Sequence, residues 1–80
     1  MMNKYHDTLP VERGFYTKTV AKTITRRMPN GLKAFNNTVK FYEDHIYMRP
    51  TARIIDKQVR HEHLLNGDLH VVCTIKYEIQ

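Results

Sequence analysis

The clearest alternation of apolar and polar positions runs through the last part of the chain. From Leu69 onward every second residue is apolar: Leu69, Val71, Cys73, Ile75, Tyr77 and Ile79. A strand sends alternate side chains to opposite faces, so these share one face. Upstream, Ile55, Val59, His61 and His63 stand at odd positions, and Asp56, Gln58, Arg60 and Glu62 at even ones. Asn66-Gly67 lies between the two runs, and this pair is the strongest short-range hairpin signal. Residues 53–80 are therefore predicted to form a hairpin. A two-residue loop would pair 65 with 68, set Val59 against Thr74, and put Asp56 on the face of Ile75 and Tyr77. A three-residue loop of Leu65, Asn66 and Gly67 pairs 64 with 68 and odd with odd. Val59 then meets Cys73, Ile55 meets Tyr77 and His61 meets Val71. On the other face Asp56 meets Lys76, Glu62 meets His70 and Gln58 meets Thr74. This register makes one face apolar and the other charge-matched, and a slip of one residue would destroy both. It is the register expected, with Gly67 supplying the left-handed residue of the turn.

Two earlier segments carry competing periodicities. In residues 15–28, Tyr16, Val20, Ala21, Ile24 and Met28 form a helical stripe, with Lys18, Lys22 and Arg26 opposite. Arg26 and Arg27 would close the last turn and Pro29-Asn30-Gly31 would end it. The threonines favour a strand, but no strand face would be apolar, so a helix is predicted. Residues 38–49 read as a second hairpin about Glu43-Asp44, pairing Phe41 with Ile46 and Val39 with Met48. The rival is a helix carrying Leu32, Phe35, Val39, Tyr42 and Ile46, interrupted by the poor helix formers Asn36, Asn37 and Thr38. Residues 1–14 read as an arm without regular structure. The fold class expected is a small α+β single domain over residues 1–80. It has an antiparallel sheet of about four strands in two hairpins, with one N-terminal amphipathic helix on one face. Val39, Phe41, Ile46, Met48, Ile55, Val59, Val71, Cys73 and Ile75 would fill the interface.

Composition narrows the function. Eighty residues make one thin-cored domain. A lone cysteine excludes an internal disulfide, and Cys73 falls on the apolar face as a core thiol. No apolar run reaches membrane-spanning length and no signal peptide is evident, so a cytoplasmic protein is expected. Thirteen Lys plus Arg against eight Asp plus Glu give a formal charge of +5. That favours anionic partners, nucleic acid first.

With the predicted elements, the outer sheet face would gather Lys40, Tyr42, His45, Tyr47, Arg49, Arg60, His70 and Lys76. Rings interleaved with cations suit single-stranded nucleic acid, because bases stack on the rings while cations meet phosphates. Asp56, Glu62 and Glu78 share that face and oppose phosphate. The consensus of the common RNA-recognition sheet domain is absent. A second basic set is Lys18, Lys22, Arg26, Arg27 and Lys33; on a helix the first three would line one edge, about 6 Å apart per step of four residues.

Other chemistry is weaker. His61-Glu62-His63 could offer two ligands to a metal, but His70 joins them only in the two-residue register, so no metal and no cofactor is expected. His45, His70, Arg60, Tyr42 and Tyr47 could serve an acid–base ribonuclease, though nothing in the sequence sets their geometry. No serine nucleophile and no Gly-rich phosphate loop occurs. The expected function is a non-enzymatic RNA-binding regulator, of a size that suits a phage-encoded accessory protein. The alternative is a protein-binding inhibitor of a nuclease or toxin, with RNA able to bridge the two. Self-association into a homo-oligomer is open in either case.

Overall fold

A computed structural model describes residues 9–80 of the chain. Strand β1 spans Gly14–Ile24, helix α1 spans Gly31–Tyr47, strand β2 spans Ala52–His63 and strand β3 spans Leu69–Ile79. The strands form one antiparallel sheet in the order β1-β3-β2. The helix packs on one side of it, and the Cα atoms occupy a slab of 43 × 31 × 14 Å. The sheet has three strands rather than four, and the helix lies between the first two strands rather than at the N-terminus. Most of the predicted arm, residues 1–8, falls outside the described residues.

Residues 15–24 are strand, not helix, and the lysines explain the misleading pattern. Tyr16, Lys18, Val20, Lys22 and Ile24 all face α1, opposite Tyr77, Ile75, Cys73, Val71 and Leu69 of β3. Since β1 is an edge strand, Lys18 and Lys22 can lay their stems on the core margin and carry their ammonium groups out past the helix. The face is apolar in the middle and cationic at its rim. The β-branched residues Thr17, Thr19, Val20, Thr23 and Ile24 then decide in favour of strand.

Residues 38–47 belong to α1 and do not form a hairpin. Gly31, Phe35, Val39 and Ile46 are buried, and Tyr42 is half-buried beside them. Their spacing is helical. Asn36, Asn37 and Thr38 all fall on the solvent side, where poor propensity costs only tenths of a kcal/mol each. Thr38 Oγ1 also donates to the Ala34 carbonyl at 3.0 Å. Asn30-Gly31 opens this helix and does not close an earlier one. Gly31 fits because the helix start presses on β1: a Cβ there would stand 2.6 Å from Ile24 Cγ2.

The main hairpin keeps the three-residue register. Glu62 pairs with His70, His61 with Val71 and Val59 with Cys73, and the Leu64 amide donates to the Asp68 carbonyl at 2.8 Å. Gly67 has φ 91°, the left-handed value the turn requires. The register shifts at a bulge between Ile54 and Asp56. Ile54, not Ile55, therefore lies opposite Tyr77, and Ile55 is 48% exposed. The core is Val20, Phe35, Val39, Ile46, Val71, Cys73, Ile75, Tyr77 and Ile79. Phe41, Met48, Ile55 and Val59, expected inside, are all substantially exposed, because two of them lie on the outer turns of α1 or beyond it and two on the sparsely covered β2. No described helix is long and apolar enough to cross a membrane.

Candidate nucleic-acid interface

The sheet face expected to bind nucleic acid is not assembled. Lys40, Tyr42, His45 and Tyr47 ride on α1, and Arg49 follows its end; Arg60 and Lys76 lie on the sheet's far, uncovered face. Around Arg60 and Lys76 the charges balance: Arg53, Arg60 and Lys76 against Asp56, Glu62 and Glu78. Arg53 Nη2 stands 3.1 Å from Glu78 Oε1, and Asp56 lies opposite Lys76. Phe15 is the aromatic of that face among the described residues, 75% exposed.

Other predicted residues are committed to structure. The Arg49 guanidinium donates to the Pro10 carbonyl and ties down the segment before β1. Lys40 is exposed and stands 3.8 Å from Asp44, one helical turn away. Tyr47 projects into solvent on α1.

A different subset does converge, on the side where α1 overhangs β1. The Lys18 ammonium sits over the Tyr42 ring, 4.3 Å from its centroid. The Phe41 ring meets Tyr42 edge-on at 5.4 Å and tilts against His45 at 4.3 Å. His45 Nδ1 lies 3.2 Å from the Phe41 carbonyl oxygen. Asn37, Thr38, Phe41 and Tyr42 line a shallow depression of about 310 Å³ here. Lys22 follows Lys18 on the same face of β1, about 13 Å further along an extended strand. Arg26 and Arg27 follow in the turn to α1, with the Arg26 guanidinium against Gly67 of the β2–β3 turn. Lys33 is exposed in the first turn of the helix.

The acids of α1 turn elsewhere. Glu43 accepts from Lys57 of β2 at 2.9 Å, and Asp44 faces Lys40. Among the described residues no ion pair joins Lys18, Lys22, Arg26, Arg27 or Lys33 to a carboxylate. Lys18 therefore meets the Tyr42 ring with no carboxylate paired to it among the described residues. Sequence reasoning placed Phe41 in the core and so missed it as a ring of this cluster. The four-residue spacing of Phe41 and His45, which adjoins them on a helix, was the signal available.

The remaining chemistry does not gather. His70 hydrogen-bonds Thr23 Oγ1 at 3.2 Å on the uncovered face, while His45, Tyr42 and Tyr47 are in the helix layer, so the ribonuclease set is split. His61 and His63 project from the opposite face to His70. Among the described residues no three His, Cys, Asp or Glu side chains are grouped to hold a metal. Burial pushes the Cys73 thiol above its ordinary value, which keeps it protonated and unreactive. No family model, no curated protein and no solved structure matches the chain.

Proposed function

We propose that this chain is a small non-enzymatic protein that binds single-stranded RNA along the β1–α1 side and acts as a regulator in the cytoplasm. The observation that carries the reading is the Lys18–Tyr42 stack at 4.3 Å, continued by Phe41 and His45 and flanked by cations that have no acidic partner among the described residues. An exposed cation–π contact is worth about 0.5–1 kcal/mol. A base stacked on an aromatic ring is worth about 1–3 kcal/mol. A base can therefore displace the lysine from the ring, and the freed ammonium is already beside the phosphate it would meet. Phe41, edge-on to Tyr42, extends the aromatic surface. Lys18, Lys22 and Arg26 supply the backbone contacts.

The test is fluorescence anisotropy with a labelled single-stranded RNA over a salt series. Lys18→Ala with Lys22→Ala should flatten the slope of log K against log salt by about 1.4, two phosphate contacts at roughly 0.7 each. Phe41→Ala should weaken binding about tenfold with the slope unchanged, the loss of one stacking platform. If Arg60→Ala and Lys76→Ala abolish binding while these variants bind normally, the site is on the uncovered face and the assignment is wrong. A second reading, protein inhibition, draws on that face, because Phe15 and Ile55 are exposed there among balanced charges. It takes over if wild type binds RNA no tighter than about 10⁻⁴ M, the non-specific limit.

A further inference from the structure

The outer edge of β2 is exposed along most of its length. Among the described residues strand β2 is bonded to β3 on one side only, and every residue from Ile55 to His63 is exposed. The Leu64 amide bonds Asp68, so even residues of β2 exchange hydrogen bonds with β3. The amides and carbonyls of Lys57, Val59 and His61 therefore point away from the sheet. A second strand can bond only through these odd positions, and a two-fold antiparallel pair must match odd with odd.

Charge then selects the register. Pairing centred on Asp56, Lys57 or Arg60 sets each of those against its own copy. Centring on Val59 sets Asp56 against Glu62. Centring on His61 avoids like charges but sets the His61 ring against its own copy. Centring on Gln58 engages residues 56–60, the stretch past the bulge, sets an uncharged residue on the axis and places Asp56 opposite Arg60 of the second copy, twice by symmetry. Both ion pairs fall at non-hydrogen-bonded positions, where opposed side chains come closest. The two copies of Lys57 become diagonal neighbours in this register. Each is already neutralised by Glu43 of its own helix at 2.9 Å, which also draws it back from the edge.

We propose that two copies of this chain associate through β2, antiparallel about Gln58, into a continuous six-stranded sheet with both helices on one side. The β1 edge does not serve, because its eleven residues carry Lys18 and Lys22 and no carboxylate to answer them. Exposed sheet edges invite this kind of pairing unless charge or a bulge guards them. Here the bulge at Ile55 lies outside the central stretch, and the one lysine that could act as guard is compensated.

The test is sedimentation equilibrium of the full chain from about 1 μM to about 1 mM, the span of weak to moderate affinities. Wild type should pass from monomer to dimer within that range. Asp56→Arg and Arg60→Asp should each remain monomeric, and the double reversal should dimerise again. Circular dichroism should show all three variants folded. Should a charge variant unfold, Val59→Pro replaces it: that residue's amide points outward, so proline blocks the partner and spares the β3 ladder. A wild type monomeric throughout, a double reversal that stays monomeric, or a dimer untouched by Val59→Pro would each overturn the proposal.

Discussion

The two edges of this sheet flank the same middle strand and share one helix, yet their electrostatics differ. Strand β1 presents two lysines, no acid, and a wall of rings from α1. Strand β2 alternates signs through Asp56, Lys57, Arg60 and Glu62 and lies open on both faces past its bulge. An edge with one sign of charge repels its own copy and attracts a polyanion. An edge with interleaved signs can answer its own copy in register. The difference traces to α1, which sends Tyr42 toward β1 and Glu43 toward β2. Adjacent residues on a helix diverge by about 100°, so neighbouring positions set the two edges apart.

The comparison holds only while both edges hang on a common core, and the largest effect should come from breaking that core. Phe35 is 1% exposed and is among the largest fully buried side chains. Phe35→Ala should cost roughly 3–5 kcal/mol, against a total of about 4–12 kcal/mol for a chain of this length. Urea denaturation should show most or all of the stability gone, with RNA binding and dimerisation lost together. A variant that is unfolded by circular dichroism yet binds RNA as wild type does would show that charge alone binds, with no role for the β1–α1 geometry.

How much of this was legible beforehand differs between the same two edges. The β2–β3 register could be read because each face carried independent information, apolar on one and charge-paired on the other. Its bulge could not, since Ile54 and Ile55 are both isoleucine and either could face the helix. The β1 edge was illegible for a physical reason. Lysine at a sheet rim is half in and half out, and counting Lys18 and Lys22 as purely polar erased the strand's inner face. In α1 the Asn36-Asn37-Thr38 run argued locally against a helix, but tertiary burial of Phe35, Val39 and Ile46 outweighed it. The candidate site inherited both errors. Lys18, Lys22, Tyr42 and His45 were singled out, but the faces assigned to them separated residues that the fold brings together.

A smaller effect acts on both edges through the strand they share. Burial holds the Cys73 thiol and the Tyr77 hydroxyl above their ordinary values of 9.0 and 10.0. The hydrogen bond to Glu43 raises Lys57 above 10.5. A group with a raised value in the folded state binds its proton more tightly there. Its contribution is complete below the unfolded value and is lost as pH rises through the folded one. Stability should therefore fall as pH climbs above about 9, with Cys73 and Tyr77 leading because both are buried. Urea midpoints between pH 7 and pH 11 check this, and a level or rising profile across that window would contradict it.

The smallest effect on stability separates the edges most sharply. The Lys57–Glu43 pair is partly solvated, with side chains 40% and 21% exposed. Such a pair contributes about 0.2–1 kcal/mol, so Glu43→Gln should barely move the melting temperature. Its consequence for β2 is larger. Without the carboxylate, Lys57 regains a free charge, and in the register about Gln58 it faces Lys57 of the second copy diagonally, within about 7–8 Å. Dimerisation should weaken severalfold at low ionic strength and recover as salt screens the repulsion. RNA binding runs the other way with salt, and it should be unchanged in this variant at any fixed salt, because Glu43 turns toward β2 and away from Lys18. A parallel loss of both activities in Glu43→Gln, at equal stability, would mean that the two edges are one site.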